Sequence, residues 1–302
     1  MHIPDGFLAT PVWAPLDAAA VAAVALVARR AQRSFDEARV PLLGVMGAFV
    51  FAAQMINFPV GIGTTGHLVG GALLACTLGP AAASVVMSAI VAIQALVFQD
   101  GGVLALGANV INMAVLGVLA GYLPFYLWGA GRRRRLALFA GGALSVLVSA
   151  MLALAELLIS GVRIPASVMG VSLGLFGVSA ALEGAITLTV VEALERIQPE
   201  FVRKPERGRS LAIGAVSVAA VLLAAVGVLL ASADPDGIQR LGQQTGIASQ
   251  ARAMFLTPLS GYQTAFLGWP WLRKASAGLA GVALIYGACL LIGRTVARHR
   301  SA

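Results

Sequence analysis

Met1 and His2 open the chain, and a histidine second from a free amino terminus brings three nitrogens within reach of one metal ion. These are the α-amine, the His2 amide and the His2 imidazole. Amine and amide close one small chelate ring, and amide and imidazole Nδ1 close another. The result is a planar donor set with one corner open, which suits Ni²⁺ or Cu²⁺. The plain alternative is a frayed terminus carrying a lone histidine. His67 is the second residue of this kind, in Gly63-Thr64-Thr65-Gly66-His67-Leu68-Val69-Gly70-Gly71. It reads either as a polar residue closing a helix beside a glycine-rich turn, or as a further imidazole donor in a loop whose glycines permit close backbone approach. The third histidine, His299, sits among arginines in the C-terminal tail and reads as solvated.

Enzyme chemistry finds little support. There is no His-Glu-x-x-His, and Cys76 and Cys289 stand alone in apolar runs. A phosphate-binding P-loop needs Gly-Lys followed by Ser or Thr. The lysines are Lys204, before Pro205, and Lys274, before Ala275, and neither follows a glycine.

The elements that must position these histidines are membrane helices. With 59% hydrophobic and 11% charged residues, the expected fold is all-α, a polytopic helical membrane protein. Apolar runs lie near 11–29, 40–57, 68–78, 81–98, 103–128, 137–159, 171–193, 211–231 and 275–293. The run at 68–78 is short and ends at Gly79-Pro80, so it reads as a tilted helix, a broken helix or half of a hairpin.

Basic residues collect on the cytoplasmic side of short loops, and here they fall at alternate span ends. They are Arg29, Arg30, Arg33 and Arg39; Arg132 to Arg135; Arg196, Arg203, Lys204, Arg207 and Arg209; and Arg294, Arg298 and Arg300. The N-terminus is then outside and the C-terminus inside. His67 falls on the same outer face as His2. The net charge of +8 records this topology, and no basic stretch interleaved with aromatics points to nucleic acid. No basic segment precedes the first apolar run, so a cleaved signal peptide is not expected.

Polar residues inside spans are costly and call for a role. Glu156 and Glu183 lie mid-span, with Gln54, Gln94, Asn109 and Asn112 on other spans. They read as outer partners that hold the N-terminal segment and the histidine rings, as interhelical hydrogen bonds, or, for the glutamates, as proton carriers of a secondary transporter. Asp5 is a further candidate partner, although Pro4-Asp5-Gly6 is also a turn signal. Gly117 and Gly121 form a Gly-x-x-x-Gly pair suited to close helix contact with a partner.

Three motifs in order carry a specific likeness: Met1-His2-Ile3-Pro4-Asp5-Gly6-Phe7-Leu8, the Gly-Thr-Thr-Gly-His-Leu ending at Leu68, and Asp100-Gly101-Gly102 followed by Leu106-Gly107-Ala108-Asn109. The chain resembles the NikM/CbiM family, the substrate-capture membrane components of energy-coupling factor transporters for nickel and cobalt. The resemblance implies that the N-terminus folds back into the protein. It also implies that the ion is held by the Met1 amine, the His2 amide and imidazole, and His67.

The likeness covers residues 1–195, about seven spans. A basic cytoplasmic linker, 196–210, would follow. Residues 211–302 resemble the small companion subunit NikN/CbiN, two spans joined by an outer loop that opens with Ala233-Asp234-Pro235-Asp236-Gly237-Ile238. The implied partners are an energy-coupling transmembrane subunit, ATP-binding subunits and the lipid bilayer of the plasma (inner) membrane. The cargo is expected to be Ni²⁺, which planar nitrogen donors favour, with Co²⁺ the alternative and no organic cofactor. The competing expectation is a proton-coupled carrier of a divalent cation using Glu156 and Glu183.

Overall fold

The computed structural model describes residues 1–34, 40–198 and 211–298. It is a helical bundle with α1 (Thr10–Ser34), α2 (Val40–Gln54), α3 (Gly71–Leu78), α4 (Pro80–Ile93), α5 (Leu106–Asn109) and α6 (Gly117–Trp128) in its first half. Then come α7 (Arg134–Ile159), α8 (Ala166–Ile197), α9 (Leu211–Ala225), α10 (Gly237–Thr245) and α11 (Pro270–Arg298). Among the described residues, seven helical stretches are long and apolar enough to cross a membrane: Thr10–Arg33, Pro80–Phe98, Leu106–Trp128, Arg134–Ile159, Ala166–Ile197, Leu211–Leu229 and Pro270–Thr295. The protein is thus a polytopic helical membrane protein, as the composition predicts. Most of the basic linker lies outside the described residues.

Two of the apolar runs give less than a full helix. The run at 40–57 forms the 15-residue α2, most of it buried. The run at 68–78 forms α3, whose eight residues are all buried and reach only about 12 Å at helical rise. That is well short of the roughly 30 Å apolar thickness of a bilayer. Gly79 stops it with a φ of 82°, a conformation open to glycine, and Pro80 restarts the chain as the first turn of α4. The broken-helix reading is the one realised. Gly117 and Gly121 face inward, against Ser149 and Ala72, so this pair packs the bundle itself and offers no face to a partner.

The connections at one end of the bundle touch one another. Ala9 N donates to Ser160 Oγ (3.1 Å), Gly102 N to the Ile3 carbonyl (2.8 Å), and Thr65 N to the Pro235 carbonyl (2.9 Å). A short hairpin, β1 (Phe58–Gly61) and β2 (Thr64–Gly66), lies there, and Asp236 makes a single parallel bridge to Thr65. Arg134, Arg196 and Arg294 lie toward the far ends of α7, α8 and α11. These three arginines therefore lie at the helix ends away from the histidines.

Candidate metal centre

The first residues run inside the protein. Met1, His2 and Ile3 are 8%, 2% and 0% exposed, so each backbone group needs a partner. Asn109, on α5, supplies two: its Oδ1 accepts from Ile3 N (2.8 Å) and its Nδ2 donates to the Ile3 carbonyl (3.1 Å). The side-chain amide thus imitates a strand neighbour. Asp5 accepts from Val103 N (2.9 Å) and Leu104 N (2.7 Å), which fastens the segment to the loop before α5. Gly101 lies where a Cβ would come within 3.1 Å of both the His2 Cβ and Asn109 Nδ2. Only a residue without a side chain lets the terminus lie this close.

His67 arrives from the hairpin. Its Nδ1 donates to the Leu68 carbonyl at 2.9 Å, which leaves the Nε2 lone pair free. Glu183, on α8, accepts from Val69 N (2.8 Å) and Gly70 N (2.7 Å), one oxygen to each, and so fixes the backbone that follows His67. The Met1 nitrogen sits 2.7 Å from His67 Nε2. The His2 ring lies nearly parallel to that of His67, tilted by 10° with centroids 5.7 Å apart. Both His2 ring nitrogens are buried without a hydrogen-bond partner among the described residues, although Nδ1 has Asp100 Oδ1 as an ionic neighbour at 3.4 Å.

Two carboxylates complete the surroundings. Asp236 Oδ2 accepts from the Met1 ammonium at 2.6 Å, while its Oδ1 accepts from Gln239 N at 2.8 Å as the cap of α10. Asp100 Oδ2 accepts from Tyr262 OH at 2.7 Å. Burial pushes the His67 imidazole down to about 4, and the neighbouring ammonium and His2 push the same way, so the ring is neutral near pH 7. For Asp236 burial works upward, but the ammonium, His67 and the Gln239 amide prevail and hold the carboxyl below its ordinary range. Asp100 is likewise held well below it, against burial, by His2 and the ammonium.

A polar chain links the two histidine loops from behind. Gln94 Nε2 donates to Tyr262 OH (3.1 Å) and to Gln54 Oε1 (2.8 Å), and Gln54 Nε2 donates to the Val69 carbonyl (2.7 Å). Of the residues the sequence nominates, Met1, His2, His67, Asp5, Asn109 and Glu183 all come together here. Glu156 does not join them. Its carboxylate accepts from Asn112 Nδ2 at 2.8 Å, the interhelical alternative. The sequence nominates neither Asp236 nor Tyr262 for the site: Asp236 enters it only within the stretch that resembles the companion subunit, and Tyr262 lies in an irregular stretch with no metal-ligand spacing. The capping spacing Asp236-x-x-Gln239 was legible; its second carboxylate oxygen, turned to the amine, was not.

Residues 2–201 match the model of the CbiM family, described as the cobalt uptake substrate-specific transmembrane region. The chain is 31% identical to the fused nickel transport protein NikMN of Rhodobacter capsulatus, across 94% of this chain and 95% of that one. It is 31% identical to the cobalt transport protein CbiM of Acetoanaerobium sticklandii, across 66% and 86%. A crystal structure of a truncated transition metal transporter superposes with a TM-score of 0.57 at 34% identity, covering 65% of this chain and 99% of that one. With two thirds of its length matched to the family model and the fused relative paralleling it from end to end, the chain belongs to the NikM/CbiM family of metal-transport membrane proteins.

Proposed function

We propose that the chain is the metal-capture subunit of an energy-coupling factor importer and that its cargo is Ni²⁺, with Co²⁺ as the alternative. The ion is held by the Met1 amine, the His2 amide, His2 Nδ1 and His67 Nε2. The observation that carries this reading is the His2 ring, buried beside a second imidazole, with neither nitrogen hydrogen-bonded among the described residues and only Asp100 Oδ1, 3.4 Å from Nδ1, as a charged neighbour. A buried orphan nitrogen is costly and signals an ion or water that belongs there. Donor spacing agrees: two nitrogens at right angles on a metal with bonds of about 2.0 Å lie about 2.8 Å apart, and Met1 N and His67 Nε2 are 2.7 Å apart. Among the described residues, no group of three or more His, Cys, Asp or Glu side chains is placed to hold a metal, so the set needs main-chain nitrogen.

Before the ion arrives, the ammonium donates to His67 Nε2 and to Asp236. Loading takes a proton from the amine and another from the His2 amide, and turns three lone pairs and the amide nitrogen on one centre. Asn109 and Asp5 keep the amide in place, and Glu183 keeps the His67 backbone. Ni²⁺ is favoured by four nitrogens in a plane, and the relative that parallels the whole chain is named for nickel. The site would lie at the outer face of the plasma (inner) membrane, with the N-terminus outside and the arginine ends in the cytoplasm. Residues 1–195 would form the capture module, 196–210 the linker and 211–302 the fused companion segment. ATP hydrolysis would fall to separate ATP-binding subunits acting through a coupling transmembrane subunit, since the sequence lacks a P-loop.

One added residue before Met1 tests the chelate, because it keeps every side chain and replaces the amine with an amide. Ni²⁺ binding should fall at least as far as in His67→Ala, and the yellow, diamagnetic complex expected of the parent should vanish. An extended protein with the parent's affinity and spectrum would place the metal elsewhere.

A further inference from the structure

A cavity of about 240 Å³ opens between the terminal segment and the loop at 251–255. His2, Asp5 and Asp100 form its inner part, and the exposed residues Arg252, Ala253 and Met254 its rim. Gln99 Nε2 donates to the Phe255 carbonyl and ties the two rims together. The Asp100 side chain is 25% exposed, so its carboxylate, with Oδ1 3.4 Å from His2 Nδ1 and Oδ2 accepting from Tyr262, meets the cavity beside a buried His2 ring that makes no hydrogen bond among the described residues. Asp5 lines it too, with its oxygens already accepting from Val103 and Leu104. Two carboxylates therefore face one guanidinium, Arg252.

Two other cavities lack this relation. The larger cavity near Phe7, Ser160 and Gln250, about 420 Å³, touches none of Met1, His2 and His67. The void against Met1 and His67 is about 10 Å³, room for no more than a single water.

We infer that the 240 Å³ cavity is the loading vestibule for a hydrated divalent cation, which Asp100 holds through water before it passes to the His2 ring. The inference rests on the metal-capture reading above. Size agrees: six waters at about 30 Å³ each occupy about 180 Å³, so a cation with its full first shell fits. Charge agrees as well, since a recessed cleft lined by carboxylates concentrates cations and raises their association rate. Stripping of water is then deferred until nitrogen donors are at hand.

The test places a charge at the rim of the full chain without touching the ligands. Ala253→Cys supplies a reactive thiol, and the native Cys76 and Cys289 are buried. One sample receives a cationic methanethiosulfonate reagent and another an anionic one of similar size, and stopped-flow absorbance follows Ni²⁺ capture. The cationic label should slow capture by about tenfold relative to the anionic one at low salt. The two rates should converge at high salt, with equal final occupancy. Equal rates at low salt, or a thiol that does not react, would overturn the vestibule while leaving the metal site intact. Failure of the unlabelled protein to bind Ni²⁺ at all would instead overturn the capture reading, and the vestibule with it.

Discussion

Asn109→Ala isolates the contribution of the anchored terminus, because Asn109 touches the Ile3 backbone and is not among the proposed ligands. Ile3 is fully buried. Its carbonyl keeps a bond from Gly102 N at 2.8 Å, but its N–H loses its partner, Asn109 Oδ1 at 2.8 Å. A buried donor left unpaired costs about 1–3 kcal/mol. If that cost falls on the docked, metal-binding state, it weakens Ni²⁺ binding by about 5- to 140-fold at 1.4 kcal/mol per decade. Removal of outer partners of metal ligands elsewhere costs about 10- to 100-fold, an overlapping range. The assay is equilibrium competition for Ni²⁺ against a chelator of known affinity in detergent-solubilised protein, with circular dichroism to confirm the helical fold. Asn112→Ala is the control, since Asn112 bonds Glu156 and should leave affinity unchanged. A folded Asn109→Ala protein within twofold of the parent would refute the claim that this side chain holds the amide ligand in place.

Glu183→Gln replaces one acceptor with an NH₂ group that confronts a backbone N–H, so Ni²⁺ affinity should drop about tenfold or more, whereas Glu156→Gln should leave it unchanged. Equal effects in the two variants would remove Glu183 from its place behind His67. Acid should destabilise the metal-free protein: His67 is depressed to about 4 from 6.5, so the unfolded chain binds the extra proton between those values and stability falls as pH drops from about 6.5 toward 4. A denaturation midpoint flat across that window would show that the ring is not buried neutral. Reconstituted alone in liposomes, the chain should bind Ni²⁺ but concentrate none; accumulation driven by a pH gradient would favour the glutamate-relay carrier.

Much of this architecture could be read from residue types alone. Apolar runs of span length can only be helices in lipid, and the arginine blocks order them, so the long helices fall where hydropathy puts them. The ligand candidates were legible because amine, amide and imidazole chelation is local to two residues, and because topology brought His67 to the same face. What escaped was set by distant partners. Asp236 and Tyr262 enter through contacts spanning 235 and 162 residues, which no local periodicity encodes. The hairpin at 58–66 also gave no strand signal, since Pro59, Gly61 and Gly63 read as turn chemistry. Glu156 and Glu183 looked equivalent as mid-span acids, and only the presence of the Val69 and Gly70 amides beside Glu183 separates them.

The Met1 to Asp236 pair joins the first residue of the chain to one 235 positions later. It therefore imposes an order on synthesis. The amino terminus emerges first yet finds its carboxylate only after α1 to α9 and the start of the segment that follows α9 have been made. Until then the leading ammonium has His67 Nε2 but no carboxylate to balance its charge. A ribosome that stalls before the outer loop would leave a bundle with both imidazoles but no Asp236 beside the amine. The Met1 to Asp236 pair thus forms only in a molecule that carries both the N-terminal segment and the segment that follows α9.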